Sequence, residues 1–215
     1  EALTPGERPM PGELDQSKSI ERLRERVAEL EAENRRWMHL AGTNRLTNLP
    51  NNLMLYQVVL PSEIRKAGAA GAAIACALIS PDGLGEITQV FGRSIGDQLI
   101  AEFSNFLKQR VADDERLYHS DGANFVILMI DAAEGRARRK ATEIRAEVKD
   151  ATFKAGDREF DQLSCSAGVA TIDGVVPDAS IADVVDGLYH DLSDRLYRAK
   201  QRGGNAVIGS SRKET

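Results

Sequence analysis

A glycine-containing loop carries the first residues whose types and spacing suit ligand binding. Gly83, Leu84 and Gly85 follow an apolar stretch, residues 73–79, that is predicted as a buried strand. They open a predicted helix over residues 84–90. Backbone N–H groups at the start of a helix can donate hydrogen bonds to phosphate oxygens. The backbone N–H groups of Gly83, Leu84 and Gly85 could therefore be presented to a phosphate.

The histidines and cysteines do not form a metal site by their spacing. His39, His119 and His190 fall on three different predicted elements, so we expect them at the surface or in capping positions. Cys76 and Cys165 lie in apolar runs and are expected to be buried, reduced thiols. Neither residue type indicates zinc binding or a disulfide.

A heptad pattern near the N-terminus predicts a coiled coil. Residues 17–42 are predicted as this dimerisation helix, after a linker or disordered tail over residues 1–16 and before a domain over residues 43–210. A polar Asn at an inner position favours a parallel dimer in one register. A single amphipathic helix packed on its own domain is the alternative. The inner positions are Ile20, Leu23, Val27, Leu30, Asn34 and Trp37.

The remaining elements predict an α/β (α+β) fold with one central sheet. The turn Ser120-Asp121-Gly122 between two apolar segments indicates a hairpin, and Asp before Gly is ordinary turn chemistry. A helix is predicted to break near Gly187. The predicted helices cover residues 52–66, 84–90, 94–110, 134–149 and 181–201, and the predicted strands cover residues 73–79, 117–119, 124–130, 163–171 and 206–208.

Five segments, in order along the chain, resemble motifs of the GGDEF (diguanylate cyclase-like) domain family. Residues 44–52 resemble its opening motif D-x-L-T-G-L-P-N-R, residues 92–97 its G-H-x-x-G-D, residues 118–128 its hairpin R-Y-G-G-D-E-F-V-I-L, residues 164–170 its S-x-G-V-A strand and residues 196–205 its L-Y-x-A-K-x-x-G-R-N. The resemblance implies a nucleotidyl-cyclase-like, palm-like fold. Its central sheet is mixed but mostly antiparallel, with helices around it and the coiled-coil helix before it.

The resemblance also implies a reaction whose metal ligands this sequence lacks. A diguanylate cyclase joins two GTP molecules, with Mg²⁺ held by carboxylates of the first strand and of the hairpin turn. The first of these positions falls on Ser80, and the turn acids fall on Ala123 and Asn124. Asp82 is the remaining metal candidate. The degenerate signature is Asp121, Gly122, Ala123, Asn124 and Phe125.

The same resemblance implies that several nucleotide-contacting residues of the family are also missing. Gly85, Thr88 and Gly204 stand where the family has a phosphate-side Lys, a guanine-contacting Asn and an Arg. Asp97 in the guanine-contacting position and Lys200 in a phosphate-contacting position remain, together with Gly83, Leu84 and Gly85.

The family's product-binding R-x-x-D motif is also missing. It aligns with residues 112–115, which begin with Ala and hold three acids, so no cyclic di-GMP is expected there. This acidic segment is expected to repel a doubly negative ligand.

These observations predict a catalytically inactive, cytoplasmic, bacterial GGDEF-like domain that acts as a dimeric regulatory or protein-interaction module with an unidentified protein partner. The alternatives are a non-catalytic sensor that binds GTP weakly, and a cyclase with substitute ligands such as Asp82 and Asp121. No cofactor is expected, and Mg²⁺ only with residual nucleotide. The net charge of −5 disfavours nucleic-acid binding, and the longest near-apolar run, residues 67–79, is too short for a membrane span.

Overall fold

The chain consists of two units in this computed structural model. The first ends at Ala41, and the second begins at Gly42. The structure describes residues 11–173 and 180–210. Nowhere in these two ranges is a helix both long and apolar enough to cross a bilayer.

Helix α1 runs from Pro11 to Ala41 and therefore starts before the predicted position. Residues 11–16, predicted as linker, are helical, and residues 1–10 lie outside the described residues. Proline suits the first position of a helix because its φ is preset and its missing N–H has no helical partner there. The predicted inner positions are exposed in the single chain, namely Ile20, Leu23, Val27, Leu30, Asn34 and Trp37.

A central five-stranded sheet organises the second unit and confirms the predicted fold class. The strand order is β2-β3-β1-β6-β7, and every neighbouring pair is antiparallel except β6 and β7. The five strands are β1 (Ile74–Pro81), β2 (Glu115–His119), β3 (Phe125–Ile130), β6 (Cys165–Ile172) and β7 (Val207–Ile208).

Helices cover both faces of this sheet because β1 is apolar on both sides. Ala75, Ala77 and Ile79 belong to one core cluster, while Ile74, Cys76 and Leu78 belong to the other. The first cluster includes helices α4 (Arg93–Lys108) and α5 (Glu134–Asp150). The second includes α2 (Leu60–Ala70) and α6 (Ile181–Gln201). A shorter helix, α3 (Leu84–Phe91), follows β1.

The predicted helix over residues 52–66 has two parts. Met54–Val59 forms a π-helical turn that continues directly into α2, which extends to Ala70. Such turns are rare and are frequently found at functional sites.

One other prediction about local structure was wrong, and one pair of strands was not predicted. Helix α6 is continuous through Gly187, because Val185, Leu188, Leu192 and Leu196 are buried on one face and offset the helical cost of one glycine. A two-stranded hairpin, β4 (Phe153–Ala155) and β5 (Arg158–Phe160), lies where no element was predicted. Strands of three residues are too short to show an alternating pattern.

Candidate functional site

The end of β1 meets the last turn of α6 through one polar contact. The Lys200 ammonium donates a hydrogen bond to Ser80 Oγ at 2.8 Å. Ser80 is buried, since only 1% of its surface is exposed. Partial burial lowers the pKa of Lys200, and the nearby Asp82 carboxylate opposes this shift. The hydroxyl at the first predicted metal position is therefore already engaged by a cation.

Asp82 joins three segments of the domain. Its carboxylate accepts hydrogen bonds from Ser164 Oγ at 2.7 Å, from Ser166 Oγ at 2.8 Å and from the backbone N–H of Asn205 at 2.8 Å. Its own N–H donates to the Ser164 carbonyl at 2.8 Å. Gly204 approaches so closely that an added Cβ would lie 3.0 Å from the carboxylate. Asp82 thus ties the end of β1 to the start of β6 and to the chain after α6.

The degenerate signature forms a tight turn between β2 and β3. The N–H of Ser120 donates to the Asn124 carbonyl at 2.8 Å, and Gly122 adopts a φ of 61°. The side-chain amide of Asn52 donates to Asp121 Oδ1 at 2.9 Å, which links the turn to the residues just before the π-helical segment. The turn therefore holds one carboxylate, Asp121, and that group serves a structural contact.

His119 is buried beneath this turn, so the expectation of a surface or capping histidine was wrong for this residue. Its Nε2 lies 2.8 Å from the Gly122 carbonyl, and its Nδ1 lies 2.9 Å from Thr47 Oγ1. A carbonyl can only accept, so Nε2 carries a proton, and the neutral ring accepts from the Thr47 hydroxyl through Nδ1. The ring also stacks on the Phe125 ring, with 4.6 Å between the two centroids. Its position before the turn was the only sequence signal for this role.

We expect protonation of His119 to destabilise the domain. Burial lowers the pKa of His119 below its ordinary value of 6.5, although the Gly122 carbonyl opposes the shift. The folded state then disfavours the charged ring. The stability contribution is complete above about pH 6.5 and is lost as the pH falls from there through the folded-state pKa.

The measurement is the free energy of unfolding by urea at several pH values between about 7.5 and 5. We expect stability to decline with falling pH in the wild type. His119→Gln should flatten this decline, whereas His190→Gln, at an exposed position, should keep it. An unchanged pH dependence in His119→Gln would contradict this interpretation.

The candidate phosphate loop has one favourable and one unfavourable feature. Gly83 precedes α3 with a φ of 69°, which suits a loop that turns into a helix. Glu86, however, lies in the first turn of α3, and its Oε2 lies 3.6 Å from the place of a Cβ on Gly83. Because this carboxylate lies beside the loop, it disfavours a phosphate at the N–H groups of Leu84 and Gly85.

The two remaining nucleotide candidates do not pair with each other. Asp97 lies in α4, is 46% exposed and contacts Arg93 at 3.8 Å. Within the described chain it forms no ion pair with Lys200. Thr88, at the position of the family's guanine-contacting Asn, donates its hydroxyl to the Leu84 carbonyl at 2.8 Å and packs on Gly96. Its hydroxyl is thus already used within α3.

Two of the three acids in residues 112–115 are paired with cations, which leaves Asp113 as the acid of this segment for which no partner is described. Asp114 contacts Arg136 at 2.7 Å. Glu115 is buried and lies 3.3 Å from Arg136 and 3.2 Å from Lys140. Both cations lie in α5, about twenty residues further along the chain, so the sequence alone did not predict these ion pairs.

Comparison with known proteins identifies the family of this fold. The sequence model described as "Diguanylate cyclase, GGDEF domain" matches residues 41–206. The chain belongs to the GGDEF diguanylate cyclase family. It is 28% identical over 169 residues to diguanylate cyclase DosC of Escherichia coli K12, a match that covers 79% of this chain and 35% of DosC.

A second curated relative and a solved structure are also similar to this GGDEF domain. The response regulator PleD of Caulobacter vibrioides NA1000 is 31% identical over 175 residues, covering 81% of this chain and 37% of PleD. The chain therefore spans about a third of the length of these curated relatives. A crystal structure of the coiled coil and GGDEF domain of DgcB from Caulobacter crescentus with c-di-GMP has a TM-score of 0.69 and 24% identity. That alignment covers 92% of this chain and 96% of the DgcB chain, and it shows a shared fold.

The residues of this GGDEF domain do not fit the magnesium ion that the family implies. Ser80 supplies a neutral oxygen that Lys200 already contacts, and the Asp82 carboxylate accepts three hydrogen bonds from the protein. Ala123 has no ligand atom, and Asn124 has only a neutral amide oxygen. Across residues 11–173 and 180–210, no group of three or more His, Cys, Asp or Glu side chains could hold a metal ion.

Proposed function

We propose that this chain is a catalytically inactive GGDEF domain of a bacterial cyclic di-GMP signalling protein, and that it serves as a cytoplasmic, dimeric regulatory or protein-interaction module. One observation carries this proposal. The Lys200 ammonium lies 2.8 Å from Ser80 Oγ, at the position where the family's first metal carboxylate would lie. Ser80 offers only a neutral hydroxyl there, and this hydroxyl already accepts from Lys200, so the negative charge that would hold Mg²⁺ is absent from this position.

The chemistry of the reaction supports the loss of catalysis. Phosphoryl transfer from GTP needs metal ions to neutralise the charge that develops on the phosphates. Ser80, Ala123 and Asn124 carry no charge in this domain. The Asp82 carboxylate is already occupied by hydrogen bonds within the protein. The proposal fails if the protein makes cyclic di-GMP from GTP and Mg²⁺ under conditions in which DosC does.

A non-catalytic nucleotide sensor is the second candidate. The observation that favours it is that Asp97 remains exposed, with only a long contact to Arg93. GTP bound to the folded state would raise stability by mass action. A GTP-dependent rise in the unfolding midpoint that Asp97→Asn removes would support the sensor, and no shift at millimolar GTP would support the module.

Cyclic di-GMP is not expected at residues 112–115. The first position holds Ala112 instead of an arginine, and the carboxylates of Asp114 and Glu115 are already paired with α5. Bidentate recognition of phosphate at this place would need a guanidinium that the segment itself lacks.

Helix α1 supports a homodimer through a parallel coiled coil. Ile20, Leu23, Val27 and Leu30 are each about half exposed or more, at 47–65%. They recur at alternating spacings of three and four, as in a coiled-coil seam. Burial against a second copy would remove this apolar area from water. The DgcB structure pairs the same kinds of segment, a coiled coil and a GGDEF domain.

We expect the wild type to sediment as a dimer at micromolar concentration. Leu23→Glu places a charge in the proposed seam and should give a monomer, because a charge buried against an apolar partner is costly. Arg22→Glu, at an outer position of the same helix, should leave the dimer intact. Sedimentation velocity measures the oligomeric state of the wild type and of both variants. A monomeric wild type would remove the basis for the dimer.

A further inference from the structure

A cleft lies beside the degenerate turn, and its lining does not include Ser80, Asp82 or Lys200. Its volume is about 400 Å³, and it opens between the π-helical turn, the β2–β3 turn and α6. Two aromatic side chains line it. The rings of Tyr56 and Tyr189 meet edge to face, with 5.2 Å between centroids and an interplanar angle of 86°.

The charged residues of this cleft are acidic. Asp121 and Asp186 both line it, accompanied by the neutral amides of Asn52 and Gln57. Among the described residues, no basic side chain lines it. One oxygen of Asp121 accepts a hydrogen bond from Asn52 at 2.9 Å. The Asp186 carboxylate makes no hydrogen bond or ion pair with any residue that the structure describes. The cleft therefore combines aromatic rings with carboxylate oxygens that can accept further hydrogen bonds.

These features select a planar cation. A guanidinium donates to carboxylates through a rigid fork and stacks on aromatic rings, and it is less strongly hydrated than an ammonium. A small open cleft with tyrosine walls also suits a single anchoring side chain, and arginine and tyrosine are enriched among the residues that dominate protein interfaces.

We propose that this cleft binds an arginine side chain presented by a partner protein. The proposal rests on the role of the domain as a protein-interaction module and names the chemistry of the partner's anchor. Asp121, which lies in the turn that has lost its metal-binding acids, then contributes to recognition.

The test uses Nα-acetyl-arginine amide as the probe, with Nα-acetyl-citrulline amide as a control of nearly the same shape without charge. Each is titrated into ¹⁵N-labelled protein, and backbone chemical shifts are followed. We expect saturable shifts confined to residues around Tyr56, Asp121 and Tyr189 with the arginine probe only. Equal shifts with both probes, or shifts spread over the surface, would overturn the proposal.

Two substitutions test whether the Asp186 carboxylate contributes to binding of the arginine probe. Asp186→Asn should weaken binding of the arginine probe about threefold, the effect expected for one exposed carboxylate. Asp183→Asn removes an exposed carboxylate from the same helix outside the cleft and should leave the affinity unchanged. Equal affinities in the wild type and Asp186→Asn would overturn the proposal. This readout does not depend on GTP turnover, so its failure and a failure of the inactive-domain proposal are separable.

Discussion

Replacing Gly168 with alanine is expected to lower the free energy of unfolding by about 3 kcal/mol or more. Gly168 lies in β6 where α6 crosses the sheet. A Cβ at this position would lie 2.3 Å from the Leu192 carbonyl oxygen and 2.6 Å from the Leu196 nitrogen. Both are backbone atoms, so no side-chain rotation can relieve the overlap, and α6 would have to move away from the sheet.

Gly187→Ala is the matched control for this substitution. Gly187 lies within α6, and an added Cβ there would have nothing within 4 Å. Alanine is the better helix former, so this variant should gain about 0.5–1 kcal/mol. Urea unfolding measures both variants. If Gly168→Ala stayed within about 0.5 kcal/mol of the wild type, the close packing of α6 on β6 would be contradicted.

Replacing Asp82 with alanine is expected to cost about 3 kcal/mol. The substitution leaves the Ser164 and Ser166 hydroxyls and the Asn205 N–H without their acceptor. Ser166 is fully buried, so water cannot easily replace the carboxylate there. Hydrogen bonds to a charged group contribute about 1.5–3 kcal/mol each, but three that share one carboxylate are not additive.

Asp97→Ala tests whether this cost is specific to the hydrogen-bonded position. Asp97 is 46% exposed, and its contact with Arg93 is long at 3.8 Å. A surface pair of this kind contributes little, so the change in unfolding free energy should stay within about 0.5 kcal/mol. Equal losses for Asp82→Ala and Asp97→Ala, measured by urea unfolding, would refute the structural role of Asp82.

The sequence predicted the sheet and most helices because the motifs carry their own local structure. The apolar stretch over residues 73–79 largely coincides with strand β1 (Ile74–Pro81), and the Ser120-Asp121-Gly122 turn joins β2 to β3. The ordered motifs also led to the GGDEF family, which the match over residues 41–206 confirms.

The contacts that decide the site could not be read from the sequence. Ser164 and Ser166 have the pattern of ordinary strand residues, and only the antiparallel pairing of β1 and β6 brings them to Asp82. Lys200 is 120 positions from Ser80, so their contact needs the three-dimensional fold. His119 was misjudged for the same reason, because its burial depends on the opening segment that contains Thr47.

GTP turnover tests the central claim most directly. Purified protein is incubated with saturating GTP and Mg²⁺, and products are separated by chromatography, with DosC assayed in parallel as the positive control. We predict no cyclic di-GMP above the background without protein. Magnesium-dependent formation of cyclic di-GMP would show that a carboxylate other than those lost at residues 80, 123 and 124 holds the metal, and would contradict this account.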